Sequence, residues 1–225
     1  MEKAVRNLIP AAALTAIFAA APASAQEAGD IQLKLFATGV LPDGKILEVV
    51  RDDFGLPPLS DVDVSDSYVP TIAAEYFFSP SFSVETICCI SPHEVEGRGG
   101  LEGAELIDAI VLPATVTAKL HLPLEGGFKP YVGAGPAYFL IFDEDVGEQA
   151  AALGVDDVSL SSEFGFALQA GFDLPIGEDG LGFSVDAKRY FIGTDATFSQ
   201  SETSLIETEH DLDPWVVSAG VSFRF

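Results

Sequence analysis

Three histidines and two cysteines are the side chains of this 225-residue chain best suited to chemistry. His93 stands in His93-Glu94-Val95-Glu96 and His210 in Glu209-His210-Asp211. Each has carboxylates beside it, the makings of a metal or acid–base cluster if the two segments meet. Nothing in the spacing demands that meeting, and a histidine in a polar loop is ordinarily just solvated. An acyl-transferring or lipid-modifying catalyst needs a histidine with a nucleophile or acid partner. Neither these two nor His121 shows one at a telling spacing, so no catalytic group, metal or cofactor is assigned. Cys88 and Cys89 are adjacent, and strand neighbours point to opposite faces, which suits them poorly for pairing with each other. They read as packing residues, one on each face.

A second set of residues is charged and regularly spaced. Lys34, Glu75, Glu85, Lys119, Glu163, Asp173, Asp186, Lys188 and Arg224, with Gln169, each fall on the polar face of a segment whose other face is apolar. Strand side chains alternate with period two, so these residues share the inner face if the segments close into a barrel. Both signs are present, and charges confined in so narrow a space are expected to pair, because an unpaired buried ion is costly. The small residues Ala73, Gly133, Gly135, Gly165 and Ala167 are expected to leave room between them. Val69 and Phe139 make the outer third of this face more apolar.

The elements that must position these residues are eight alternating segments, at about 30–40, 68–78, 82–90, 107–122, 128–142, 162–176, 181–193 and the C-terminal stretch from Asp213. In the last of these, Trp215, Val217, Ala219, Val221, Phe223 and Phe225 share one face, with aromatics at both ends and small aliphatics between. That is the profile of a strand crossing a bilayer, with Trp215, Phe223 and Phe225 as interface anchors. Ser79-Pro80-Ser81, Glu125-Gly126-Gly127 and Gly177-Glu178-Asp179-Gly180 make short turns. Long segments at about 41–67, 91–106, 143–161 and 194–212 read as loops. An even strand count with short turns on one rim and long loops on the other predicts an all-β fold: an eight-stranded antiparallel transmembrane β-barrel of up-and-down topology. A soluble lipocalin-like barrel would have its apolar face inside, and the aromatic strand ends and terminal Phe decide against it. Arg189 alone breaks the pattern. Its parity faces lipid, so it must snorkel to the rim or sit beyond a bulge.

Residues 1–25 read as a signal peptide: Lys3 and Arg6, an apolar run from Leu8 to Ala21, then Ala23-Ser24-Ala25. The barrel is expected over 26–225. The chain carries 35 acidic and 11 basic residues for a net charge of −24, which leaves no basic surface for nucleic acid. Disorder is excluded by a hydrophobic content of 48% and 17 phenylalanines. The acids concentrate at the four long segments and their rims, counted over 43–66, 94–108, 143–157 and 195–213, which together hold 24 acids and 3 bases. That is a solvated, mutually repelling outer surface; no loop has the spacing of a calcium site.

Val111-Leu112-Pro113-Ala114-Thr115, Phe128-Lys129-Pro130-Tyr131-Val132-Gly133-Ala134-Gly135 and Leu212-Asp213-Pro214-Trp215-Val216, with the closing Phe223-Arg224-Phe225, resemble the OmpW family of outer-membrane proteins. Val69-Pro70-Thr71 and the stretch from Leu160 to Gly171 fit the same register. The resemblance implies location in the bacterial outer membrane, a surround of lipid and lipopolysaccharide, insertion by the barrel-assembly machinery through the C-terminal strand, and a narrow channel for small hydrophobic solutes. A closed barrel acting in surface recognition, or as a structural protein, through its acidic loops is the alternative.

Overall fold

The computed structural model describes residues 27–225 apart from 58, 59, 123, 125, 126 and 178. The expected leader, and parts of two of the short turns, lie outside the described residues. Eight strands close the wall: β1 (Ile31–Leu41), β4 (Ser67–Ser79), β5 (Phe82–Cys88), β7 (Glu105–His121), β8 (Lys129–Val146), β10 (Glu163–Pro175), β11 (Leu181–Phe191) and β14 (Trp215–Arg224). Each pairs antiparallel with the next, and β14 returns to β1 through ten register pairs from Gln32↔Arg224 to Leu41↔Trp215. Each wall strand thus has a partner on both sides, as a bilayer requires of a strand protein.

The alternation sorts the side chains inside out. Leu33, Leu35, Ile72, Leu120, Val132 and Val221 are exposed, while Lys34, Thr71, Glu75, Lys119 and Ser218 are buried. A water-soluble barrel has the opposite order, so the outer belt is a lipid surface. Tyr68 (77% exposed), Phe164 (79%), Phe142 and Trp215 ring its outer end. Phe223 and Phe225, with ring centroids 6.0 Å apart, mark the inner end. Leu35 lies mid-belt, so Leu35→Arg should destabilise the barrel in lipid vesicles by about 2–4 kcal/mol. Unfolding by urea in those vesicles reads this directly, and an unchanged midpoint would mean the belt is not where lipid sits.

Above the outer ring the structure departs from the sequence reading. The four long segments are largely strands rather than loops. β3 (Asp61–Val64) runs on towards β4 and pairs with β6 (Ser91–Arg98), which continues β5 and pairs with β7. β2 (Lys45–Asp52), β13 (Thr203–Asp211), β12 (Gly193–Gln200) and β9 (Asp157–Leu160) form a separate four-stranded sheet in that order. The β12–β13 hairpin turns at Ser201 and Glu202, both left-handed at φ 50° and 65°, as a two-residue type I′ link needs. A short helix, α1 (Glu148–Ala152), completes this storey. Its acids lie on the outside. Val62, Ile107, Ile141, Val155 and Val158 form a core within, and the dense charge had hidden this apolar inner face.

Candidate functional site

The lumen has two storeys. In the lower, charged residues from different strands meet. Lys34 Nζ lies 2.7 Å from Glu75, 3.0 Å from Glu85 and 3.5 Å from Asp173. Lys119 Nζ lies 2.9 Å from Glu75 and 2.8 Å from Glu85, and 3.7 Å above the Tyr131 ring. Lys188 bridges Glu85 at 3.1 Å and Asp186 at 2.7 Å. Gln169 donates to Glu85 (2.8 Å) and Asp186 (2.6 Å) and accepts from Thr117 (2.6 Å). Tyr131 donates to Asp186 at 2.8 Å, and His121 contacts Glu75 and Ser83 at 2.9 and 2.8 Å. Glu85 is the hub, held by three lysines and a glutamine. The small residues do not leave space here: a Cβ on Gly133 would stand 3.0 Å from both Lys119 and Gln169. The glycine is small because those side chains fill its place.

Of the ten inward-facing residues read from the sequence, the structure gathers eight here: Lys34, Glu75, Glu85, Lys119, Gln169, Asp173, Asp186 and Lys188. Arg224 sits at the inner rim, donating to Gln32 at 2.7 and 3.1 Å over the Phe77 ring. Glu163 is half-buried at the outer end of β10 opposite Phe139, away from the network. Arg189 snorkels, pairing with Asp213 at 3.5 Å and lying over the Trp215 and Phe191 rings at 5.7 and 6.0 Å.

The upper storey is apolar and hollow. Phe139 floors a cavity of about 320 Å³ and packs edge-on against Tyr190 (5.2 Å), whose hydroxyl bonds Thr115 (3.1 Å). Val40, Ala109, Ile141 and Val216 supply its walls, Ala196 and Phe198 come from the outer sheet, and Phe54 and Leu56 of the β2–β3 connection cover it. Its polar lining groups are already bonded. His93 Nδ1 meets the Ser65 carbonyl (2.7 Å) and Nε2 the Ser91 hydroxyl (3.1 Å). Thr194 donates to the Ser161 carbonyl (2.9 Å), and Thr208 shares a bond with His210 Nε2 (2.7 Å). The cavity therefore presents hydrocarbon to any occupant. His93 and His210, expected to be solvated, are both buried in its wall. Among the described residues no group of three or more His, Cys, Asp and Glu side chains is placed to hold a metal.

One stretch of wall beside the cavity is unzipped. Pairing of β3 with β6 stops at Val64↔Val95, and pairing of β4 with β5 starts at Ile72↔Cys88. Between them the Ser65 amide bonds the Glu94 carbonyl at 2.9 Å, and no register pair is formed among the described residues. Pro70 and Pro92 stand on the two margins and have no N–H to give. A recess of about 450 Å³, lined in part by Tyr68, Pro92 and His93, opens along this stretch, so His93 borders both it and the apolar cavity. The signal was legible: proline inside a wall strand marks an edge or a bulge. The buried histidines have no such signal, because the hairpins that enclose them carry the acid-rich, weakly alternating composition of loops.

The OmpW family profile matches residues 27–225. The uncharacterized outer-membrane protein y4mB of Sinorhizobium fredii is 32% identical over 182 residues, covering 80% of this chain and 76% of that protein. Outer membrane protein W of Vibrio cholerae is 23% identical over 98% of this chain and 100% of its own length. The crystal structure of OprG, an outer membrane protein from Pseudomonas aeruginosa, superposes with a TM-score of 0.79 at 25% identity, covering 89% of this chain and 97% of that one.

Proposed function

The chain belongs to the OmpW family of outer-membrane barrels, and from that premise we propose that it admits small hydrophobic solutes from outside and releases them sideways into the bilayer. The observation that carries this reading is an apolar cavity standing directly on a charge-packed lumen. A solute entering from above gains about 25 cal/mol for each Å² of its apolar surface taken from water. It meets no free hydrogen-bonding group on the way. Below, the ion pairs offer an apolar molecule nothing and would have to be separated for it to pass. The unzipped stretch between β4 and β6 is the lower-cost exit, because few backbone bonds need breaking there. A cavity of about 150 Å³ takes one benzene ring, so this one suits solutes of roughly two or three fused rings or a comparable short alkyl chain.

The test is uptake by liposomes carrying the refolded mature barrel, comparing an apolar solute with a polar one of similar size. Uptake of the apolar solute alone is expected; equal uptake of both, or of neither, removes the reading. The route has its own test. Thr71 of β4 lies against Cys89, at the lower margin of the window. In Thr71→Cys, oxidation should staple β4 to the β5–β6 junction and slow apolar uptake about tenfold, with dithiothreitol restoring it. Full uptake through the stapled barrel would exclude this window as the exit.

A further inference from the structure

Two imidazoles built into a hydrocarbon cavity need an explanation that solute uptake alone does not supply, and both hold parts of its frame together. His93 on β6 bonds the Ser65 carbonyl of the β3–β4 link, at the upper corner of the unzipped wall. His210 on β13 bonds Thr208 and lies by the backbone of Gly44, so it sits where the β1–β2 connection meets the outer sheet. We propose that these two histidines form a proton-operated release device: acidification charges the cavity wall, weakens the hold on an apolar occupant and loosens the frame around it. This rests on the cavity being the solute site.

The surroundings of each ring favour the neutral form in the closed cavity. Around His93, β7 presents Ala109 as its direct partner, and the β3–β4 link presents Asp66 at longer range. Around His210, β12 presents Thr194 with Asp195 beside it, β2 presents Ile46, and β3 contributes Asp61. Lys45, next along β2, is taken up by Asp43 at 3.2 Å. Among the described residues no carboxylate forms an ion pair with either ring. Burial lowers the pKa of both, and the carbonyl bonds and distant aspartates offset only part of that. A histidine whose folded pKa is depressed stabilises the closed form fully above its unfolded value, near 6.5. That contribution falls as pH drops below the unfolded value and through the folded one. The bonds also change character. Nε2 of His93 sits against the Ser91 hydroxyl, which already donates to the Val111 carbonyl at 3.3 Å. The hydroxyl oxygen can accept a proton added at Nε2, but the full charge enters the apolar wall with no carboxylate paired to it.

The experiment follows binding of N-phenyl-1-naphthylamine, an uncharged fluorescent probe, to the refolded barrel in neutral-lipid vesicles from about pH 7.5 to about pH 4.5. The native chain should bind about tenfold more weakly at the acid end, the equivalent of one pKa unit. The double variant H93N/H210Q, which keeps an amide in each place and cannot titrate, should hold its affinity within about twofold over the same range. The heat-dependent gel mobility of each barrel at neutral pH reports that it is folded, and the two single variants replace the double one if it is not. Native binding independent of pH overturns the proposal. So does an equal fall in the variants, which would assign the effect to the outer carboxylates. A probe that binds at no pH removes the cavity as solute site and the switch with it, whereas binding that ignores pH leaves the cavity reading intact.

Discussion

Replacing Glu85 with alanine is expected to make the barrel conduct ions and to destabilise it by about 3–5 kcal/mol, the cost of leaving buried partners without their counter-charge. Glu85 receives Lys34, Lys119, Lys188 and Gln169 at 2.8–3.1 Å. Its removal takes the bridging carboxylate from the centre of the network and leaves Lys34, Lys119 and Lys188 facing only Glu75, Asp173 and Asp186 at its edges. Lysines no longer bridged at the centre would repel one another and draw in water. Glu85→Gln keeps the shape but not the charge and should show the same changes more weakly. Single-barrel conductance in planar bilayers and urea unfolding in vesicles measure the two effects. Openings in the variant against a silent native barrel are the expected outcome. If both are silent, the lower storey is sealed by something other than these ion pairs. Apolar uptake should survive Glu85→Gln, since the proposed exit lies above the network, and its loss would argue for a route through the lumen.

The barrel was legible because a bilayer imposes a simple code on strands: lipid outside and polar groups inside, at period two, over the length of the hydrocarbon. That code places Lys34, Glu85, Lys119 and Lys188 on one surface without any structure. Closure then leaves them little freedom beyond pairing, though not the identity of the hub. Glu163 shows the limit. It has the same parity on β10 as Gln169 and Asp173, yet strand tilt carries it to the apolar storey, and parity says nothing of height. The outer storey was hidden for a different reason. Outside the membrane the strands of β12, β13, β2 and β9 bury only one face, weakly patterned and full of acids, so they resemble solvated loops. Ile206, Phe198 and Leu160 face the cavity from that sheet while Glu207, Glu209 and Asp157 flank them. Only the pairing of hairpins distant in sequence brings His93 and His210 to one wall.

Filling the cavity separates a binding chamber from a mere space under the cover. Ala196 on β12 is 2% exposed, lines the cavity, and pairs with Thr208 on one side and Leu160 on the other. In Ala196→Trp the indole should project into the 320 Å³ and occupy much of it. Overpacking costs about 1–3 kcal/mol, but β12 belongs to the outer sheet, so the transmembrane wall should fold as before. Uptake of an apolar solute should fall by about tenfold or more, as expected when a preformed apolar site loses its volume. Leu47→Trp, on the exposed face of β2, adds the same side chain outside the cavity and should leave uptake unchanged. If Ala196→Trp transports normally while its indole fluoresces as a buried group, the solute does not reside in this chamber. The apolar wall would then serve only to hold the outer sheet on the barrel, and the acidic outer face would become the surface through which the protein acts.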